Sequence, residues 1–202
     1  RLDGLELGRL SRSEMRRVRG GKIGMVFQDP SAALDPLFRV GDQIIETYLA
    51  HHRSSREEAL KRSLEALTAA GLEESRRVFD SYPHQLSGGQ KQRAVIAMAL
   101  CTGVELLIAD EPTTALDVTV ERQIIDLLAG LCEKRGLALL LITHNLRLVR
   151  SLAGRVAVMY AGQIVESAPA GRLFAKPGHP YTRALLECVP AEDGELRSIP
   201  GQ

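Results

Sequence analysis

The sequence predicts an α/β fold built on a parallel sheet, with a helical subdomain inserted into it. Three observations carry that prediction. Compact apolar runs at 22–27, 106–109 and 137–142 read as strands, and the second, nearly all-apolar, suits a strand buried inside a parallel sheet. Segments of helical texture separate these runs, and strands alternating with helices are the pattern of an α/β core. A polar side chain, Gln28, Asp110 or His144, sits at or just beyond the end of each run, where parallel sheets bind their ligands.

The elements follow in order. Residues 1–38 open with a short alternating segment, Leu2, Leu5 and Leu7. A basic stretch of Arg9, Arg12, Arg16, Arg17, Arg19 and Lys22 comes next and reads as a solvated loop or helix face. The first strand then runs to Phe27, with Gln28 directly after it. Over 39–83 the texture is helical: Val40, Ile44, Ile45 and Tyr48 share one face. Ser55-Arg56-Glu57-Glu58 is a capping box opening a helix with Leu60, Leu64 and Leu67 on one side, and Gly71 is placed to end it.

Over 84–175, Ser87-Gly88-Gly89 precedes a helix from Gln90 to Leu100, then the strands Leu106 to Ala109 and Leu137 to Ile142. Val156 to Tyr160 and Gln163 to Glu166 form a hairpin around Ala161-Gly162. The tail, 176–202, starts with the breakers Pro177, Gly178 and Pro180 and continues as a short helix.

Composition narrows the function classes. The chain has 202 residues, 45% of them apolar, enough to build a sizeable core, and its formal net charge of +1 gives no electrostatic reason to expect a nucleic-acid partner. Cys101, Cys132 and Cys188 are too few and too scattered for a disulfide framework or a Cys-x-x-Cys metal site. The longest apolar runs, Ala94 to Cys101 and Leu137 to Ile142, fall well short of the roughly 18 residues that cross a bilayer, so membrane association is expected to come through a partner. The opening Arg1-Leu2-Asp3-Gly4 has neither an initiator Met nor a signal-peptide apolar region, and an N-terminally incomplete chain is expected. His51, His52 and His84 read as surface or capping histidines.

Two motifs carry chemistry. Asp110 and Glu111 stand together at the end of a buried strand. There, the first can hold a Mg²⁺ that keeps most of its water, and the second can orient or deprotonate an attacking water. An Asp-Glu-Pro can equally be a strand-ending turn or helix cap, so the flanking motifs decide. Ser87-Gly88-Gly89 opens a helix whose free N–H groups, dipole and hydroxyl can grip an anion, while the glycines allow close approach. Nowhere does a Gly-x-x-x-x-Gly-Lys-Ser/Thr phosphate loop occur.

Leu86-Ser87-Gly88-Gly89-Gln90, then Glu105-Leu106-Leu107-Ile108-Ala109-Asp110-Glu111-Pro112, then Thr114-Ala115-Leu116-Asp117 resemble, in order and spacing, the signature, Walker B and D-loop segments of the ATP-binding cassette (ABC) ATPases. The resemblance implies a P-loop NTPase-type core over 1–38 and 84–175, without its Walker A part, and a helical subdomain over 39–83. It implies ATP and Mg²⁺ as cofactors. It makes Asp110 and Gln28 metal ligands, with Glu111, His144 and Gln28 at the reacting phosphate, and has Ser87, Gly88, Gly89, Gln90 and Asp117 completing the nucleotide site of an opposing subunit in a head-to-tail dimer.

Within that superfamily four segments sharpen the likeness to the ATPase subunits of dipeptide, oligopeptide and nickel importers. They are Phe27-Gln28-Asp29-Pro30-Ser31-Ala32-Ala33-Leu34-Asp35-Pro36, Gly41-Asp42-Gln43-Ile44, Tyr82-Pro83-His84-Gln85-Leu86-Ser87-Gly88-Gly89-Gln90, and His179-Pro180-Tyr181-Thr182-Arg183-Ala184-Leu185-Leu186. The last resembles the C-terminal extension of this branch, over 176–202. The implied partners are a second ATPase subunit, membrane-spanning permease subunits and, indirectly, an extracellular or periplasmic substrate-binding protein. The implied location is the cytoplasmic face of the membrane.

Other readings are weaker. A DNA-repair member of the superfamily needs a long heptad-patterned insertion between Gln28 and Ser87, and only about sixty residues without sustained heptads lie there. A ribosome-acting member carries two cassettes. A non-catalytic cassette that only completes its partner's ATP site is the alternative for the chain as it stands.

Overall fold

The computed structural model describes residues 1–114 and 116–188. The chain divides into two compact units, Arg1–Ile142 and Thr143–Gln202, a boundary inside the 84–175 segment read as one core from sequence.

In the first unit, the opening leucines do not form an alternating strand. Asp3 and Gly4 both take positive φ, 46° and 78°, and Leu2 and Leu5 bond across them. An Asp-Gly pair favours this two-residue turn over extension. Helix α1, Arg12–Val18, starts at a capping box in which Ser11 and Glu14 bond reciprocally. Arg12, Arg16 and Arg17 lie exposed on it, the solvated helix face expected.

Strands β1 (Ile23–Val26), β2 (Leu106–Asp110) and β3 (Ala138–Ile142) form a parallel sheet in that order, with Met25, Ile108 and Leu140 in register. The long excursions between them carry α2 (Pro30–Ala33), α3 (Val40–His51), α4 (Arg56–Ala69), α5 (Ser75–Asp80) and α6 (Gly88–Leu100) after β1, and α7 (Val118–Arg135) after β2. Val26, Leu107 and Ala109 bury one face of the sheet against Val95, Ile96 and Leu100 of α6 and Ile124, Leu128 and Leu131 of α7. On the other face Met25, Leu140 and Ile142 keep 40%, 50% and 46% of their surface. β2, the strand expected to be buried, has no exposed residue, whereas β1 and β3 on either side of it each keep one face open.

Helix α6 is a wall shared by two cores. Its Ala94 and Ala97 face away from the sheet, into a second cluster made by Val40, Ile44 and Ile45 of α3, Ala59, Ala66 and Leu67 of α4, and Val78 and Phe79 of α5. Close approach fixes two glycines here. A Cβ on Gly24 would lie 2.6 Å from the Ala99 carbonyl, and one on Gly41 would lie 2.4 Å from the Phe79 ring.

Two details differ from the sequence reading of α4. Ser55 accepts from the Glu58 N–H, but the Glu58 carboxylate turns to Arg62 Nε at 2.8 Å, so only half of the capping box forms. The buried stripe is Ala59, Ser63, Ala66 and Leu67, with Leu60 and Leu64 at its edge, because small residues let α4 sit close to its neighbours. The helix ends as expected: Gly71, at φ 75°, donates to Thr68 O and Leu72 donates to Leu67 O, the paired bonds of a Schellman motif.

The second unit holds α8 (Leu146–Leu152), an antiparallel hairpin of β4 (Arg155–Tyr160) and β5 (Gln163–Pro169), α9 (Ala170–Ala175) and α10 (Pro180–Glu187). Ala161 and Gly162, both at positive φ, make the expected turn. Val156, Val158, Ala168 and Leu173 form its core. The Glu166 carboxylate accepts from the N–H groups of Gly178 (2.8 Å) and His179 (3.0 Å), fastening the start of α10 to β5. The part of the expected C-terminal extension beyond 188 lies outside the described residues.

Candidate functional site

The carboxyl ends of β1 and β2 bring two of the expected residues into contact. Gln28, two residues past β1, donates from Nε2 to Oε2 of Glu111 at 2.9 Å. Asp110 is the last residue of β2 and half-buried, and Glu111 turns sharply out of the strand at φ 45°. A non-glycine residue held in that region stores about 1–3 kcal/mol and persists only where its surroundings impose it. Here the Glu111 N–H donates to the Ile142 carbonyl at 2.9 Å, and Thr114 Oγ1 donates to Glu111 Oε2 at 2.9 Å. The turn is anchored below by Pro112 and Thr113, both buried, and Thr113 Oγ1 donates to Glu121 on α7 at 2.8 Å. Positive φ at a carboxylate-bearing strand end, with a strong local hydrogen-bond frame, makes Glu111 the preorganised centre of this cluster.

Thr114 was not singled out in the sequence. The signal for it was its place three residues after Glu111 in a Pro-containing turn, which lets a short hydroxyl side chain reach back to the carboxylate.

Asp117 caps α7, accepting from Val120 N–H at 2.9 Å. The neighbouring Val118 is 82% exposed, so this helix start faces outward. Ser87 caps α6 through a reciprocal pair: Gln90 N–H donates to Ser87 Oγ at 3.3 Å and Ser87 N–H to Gln90 Oε1 at 3.1 Å. The helix begins at Gly88, two residues earlier than expected, because both glycines accept helical dihedrals once Ser87 supplies the cap. The cap uses Ser87 Oγ as an acceptor and leaves its proton available for donation.

The two helix starts touch. A Cβ on Gly89 would lie 2.8 Å from Val120 Cγ1, so that glycine is required by packing against α7, whatever approaches from outside. Lys91, in the first turn of α6, reaches Ser31 Oγ at 3.3 Å and ties this end of the helix to the segment following Gln28. The next residue, Gln92, is wholly buried with neither amide atom hydrogen-bonded, a cost on a helix that the sequence did not reveal.

His144 lies in the second unit, two residues beyond the end of β3 and exposed, just before Asn145, which caps α8 by accepting from Arg147 N–H at 3.1 Å. Thr143 Oγ1 accepts from Asn145 N–H at 3.0 Å and fixes the turn that carries His144. Among the described residues no group of three or more His, Cys, Asp or Glu side chains is arranged to hold a metal ion.

The family described as ABC transporter matches residues 2–114, more than half of the chain, and the family described as oligopeptide/dipeptide transporter, C-terminal region, matches 165–202. The chain is 47% identical over 203 residues to the oligopeptide transport ATP-binding protein OppD of Bacillus subtilis, covering 98% of this chain and 57% of that protein. It is 47% identical over 202 residues to the dipeptide transport ATP-binding protein DppD of Escherichia coli, covering 98% and 62%. A putative peptide import ATP-binding protein of Brucella melitensis is 50% identical over 186 residues, 92% of this chain and 55% of that one. The chain thus spans little more than half the length of the curated relatives it matches.

Among solved structures, a dimeric ATP-binding cassette in a post-hydrolysis state bound to ADP and Pi superposes with a TM-score of 0.73 at 34% identity, over 84% of this chain and 72% of that one. The cbiO1 component of a Clostridium perfringens ABC transporter complex gives 0.72 at 31% identity, over 82% and 64%. The α/β sheet with its Glu111 turn is therefore the cassette fold, and this chain belongs to the ABC transporter family.

Proposed function

We propose that this chain is the part of an ABC importer's ATP-binding subunit that couples ATP hydrolysis to uptake of di- or oligopeptides. The observation that carries the reading is the Gln28–Glu111–Thr114 cluster: a carboxylate held by two side-chain donors in a strained turn beside Asp110. In phosphoryl transfer the protein's work is positioning and charge stabilisation, and a fixed carboxylate next to the reacting phosphate orients water and takes its proton at Glu111 Oε. The peptide cargo is taken from the relatives, which are oligopeptide and dipeptide transport ATP-binding proteins.

The residues fit Mg²⁺ and ATP in the following way. Asp110 at the end of β2 and the Gln28 side-chain carbonyl just past β1 offer two oxygen donors, too few for a protein-only cage, which suits an ion that keeps waters and shares phosphate oxygens. When bound, Mg²⁺ would offset the charge on the phosphates. His144 is assigned to the edge of the γ-phosphate. Ser87, Gly88, Gly89, Gln90 and Asp117 are offered to the site of a second ATPase subunit, as anion-binding N–H groups at a helix start and a carboxylate beside it. The glycine-rich phosphate cradle is not among these residues.

The assembly this implies is a head-to-tail pair of ATPase subunits docked on membrane-spanning permease subunits, fed by an external substrate-binding protein. The subunit works at the cytoplasmic face, peripheral to the bilayer. Residues 39–83 form the helical subdomain, set against a core of 1–38 and 84–175, and 176–202 the branch-specific extension. Among the described residues no helix is long and apolar enough to cross a membrane.

The test is uptake of a radiolabelled tripeptide, and separately of nickel, by cells whose only copy of the full-length protein carries Glu111→Gln. Loss of peptide uptake is expected. Normal peptide uptake would overturn the reading, and loss of nickel uptake alone would replace the cargo.

A further inference from the structure

Between residues 9 and 22 stand five arginines and a lysine against one acid, Glu14, in a chain whose 26 basic and 25 acidic residues almost balance. Two of the six are neutralised within the fold. Arg9 Nε lies 2.9 Å from Glu6, and Lys22 Nζ lies 2.8 Å from both Asp3 and Glu105. Glu14 is committed to the cap of α1, where its Oε2 accepts from Ser11 N–H at 2.8 Å and from Ser11 Oγ at 2.6 Å, and it draws Arg17 only from beyond ion-pair distance. Arg12, Arg16, Arg17 and Arg19 remain exposed and, among the described residues, carry no ion pair.

The three on the helix share one side. With about 100° between successive residues, Arg12, Arg16 and Arg17 fan over roughly 140° of α1, centred opposite the buried Val18, and Arg19 follows at the helix end. Helix stability accounts for half of this cluster. The dipole favours Arg16 and Arg17 in the last turn but disfavours Arg12 in the first, and Arg12 with Arg16 is a like-charge i,i+4 pair. A polyanion laid against the face relieves that repulsion.

We propose that the arginine face of α1 is an electrostatic contact for anionic phospholipid headgroups of the membrane at which the subunit works. The proposal rests on the importer reading above, which brings the subunit to a bilayer, and it adds a lipid attachment to the one made through permease subunits. Charge complementarity selects this partner. Membrane leaflets rich in anionic lipid attract clustered Arg and Lys, and the attraction decays within a Debye length, about 8 Å at physiological ionic strength. Helix α1 is about 10 Å long, so a flat surface along its outer side meets Arg12, Arg16 and Arg17 together. Guanidinium groups also pair bidentately with phosphate.

A single-stranded nucleic acid is the competing polyanion, but the aromatic platforms that hold its bases are missing, since residues 1–26 contain no Phe, Tyr or Trp. The same lack removes an interfacial anchor, so the lipid contact is made by charge at the headgroups and is reversed by salt. The face also stands clear of the candidate chemistry. Helix α1 and Arg19 lead into the amino end of β1, whereas Gln28 follows its carboxyl end.

The test is flotation of the full-length protein, purified without other subunits, with vesicles of phosphatidylcholine containing about one-third phosphatidylglycerol, and with phosphatidylcholine alone, at about 0.1 M and about 0.5 M NaCl. Three variants accompany the wild type. The first is Arg12→Gln/Arg16→Gln/Arg17→Gln/Arg19→Gln, and the second makes Arg→Lys changes at the same four positions. The third is a charge-matched control, Arg53→Gln/Lys61→Gln/Lys134→Gln/Arg135→Gln, at exposed residues outside α1. The wild type is expected to float with the anionic vesicles at the lower salt only, and not with neutral ones. Binding is expected to fall at least about tenfold in the first variant and less than about threefold in the other two, with ATP turnover of all three within about twofold of wild type.

Equal vesicle binding by the wild type and the first variant, an equal loss in the control, or equal binding to neutral vesicles overturns the lipid contact, while normal peptide uptake leaves the importer reading standing. Wild-type protein that ignores anionic vesicles but binds a single-stranded oligonucleotide through these arginines overturns it in favour of nucleic acid. Absence of peptide uptake in cells carrying the wild-type protein overturns the importer reading instead, whatever the vesicles show.

Discussion

The side-chain amide of Gln28 donates a 2.9 Å hydrogen bond to Oε2 of Glu111, joining the ends of β1 and β2 across 83 residues of sequence. The bond sets the rotamer of a carboxylate whose backbone is already strained at φ 45°. Hydrogen bonds to charged groups contribute about 1.5–3 kcal/mol, so removing this one is expected to cost turnover rather than the fold, Gln28 being exposed. In the full-length protein, Gln28→Ala should lower kcat for ATP about tenfold or more with an unchanged thermal midpoint. A drop in the midpoint with normal kcat would make the bond structural.

Gly89 tests whether the glycines of the helix start serve packing. Placing a Cβ 2.8 Å from Val120 Cγ1 forces a shift, and overpacking of this kind costs about 1–3 kcal/mol, against about 1 kcal/mol gained from alanine's helix propensity. Gly89→Ala is expected to destabilise by up to about 2 kcal/mol in a denaturant titration, and Gly89→Ala/Val120→Ala to recover that loss. If ATP turnover stays low in the stable double variant, the glycine also serves a phosphate; if turnover returns with stability, packing is its whole role.

Glu166 gives a pH signature confined to the second unit. The nearby Thr182 hydroxyl, with the amides of Gly178 and His179 that donate to it, holds the Glu166 carboxyl down at about 2. A carboxyl lowered in the folded state stabilises fully above its unfolded value, near 4.5, and loses that contribution as pH falls through about 2. Glu166→Gln should therefore be less stable than wild type at neutral pH, and the gap should close between about pH 4.5 and 2. A gap independent of pH in acid titrations of both proteins would mean the ionised carboxylate does not fasten α10.

Cys101 sits between α6 and α3, with Sγ 3.2 Å from the Met98 carbonyl, and burial pushes its thiol up to about 12. The thiolate is the reactive form, so alkylation of Cys101 by iodoacetamide at pH 8 should be negligible in the native protein and rapid in denaturant. Fast native labelling located by peptide mass mapping would show that the α3–α6 interface opens.

Periodicity and end signals made the regular elements legible. The faces of α3, the Gly71 stop, the Ala161-Gly162 hairpin and the three parallel strands are local patterns, and the chain folds as those patterns dictate. The alternation of Leu2, Leu5 and Leu7 does not become a strand because the Asp3-Gly4 turn between them overrides it. The half-formed box at Ser55 was hidden because Arg62 competes for Glu58, a choice settled by side-chain geometry. In the site, Asp110 and Glu111 could be found from a carboxylate pair at a strand end, but the Thr114 hydrogen bond could not, since it depends on how a turn closes. Gln92 was invisible for the same reason: only packing tells a buried amide from a solvated one.

The central claim is that Glu111 acts on the attacking water. Its most direct test is nucleotide binding and steady-state ATP hydrolysis by the full-length protein carrying Glu111→Gln, a change that keeps the shape of the side chain and removes the base. Retained ATP binding with turnover reduced about 10²- to 10⁴-fold is expected for loss of general-base catalysis. Hydrolysis at the wild-type rate would contradict the account and leave Glu111 a strand-ending turn residue.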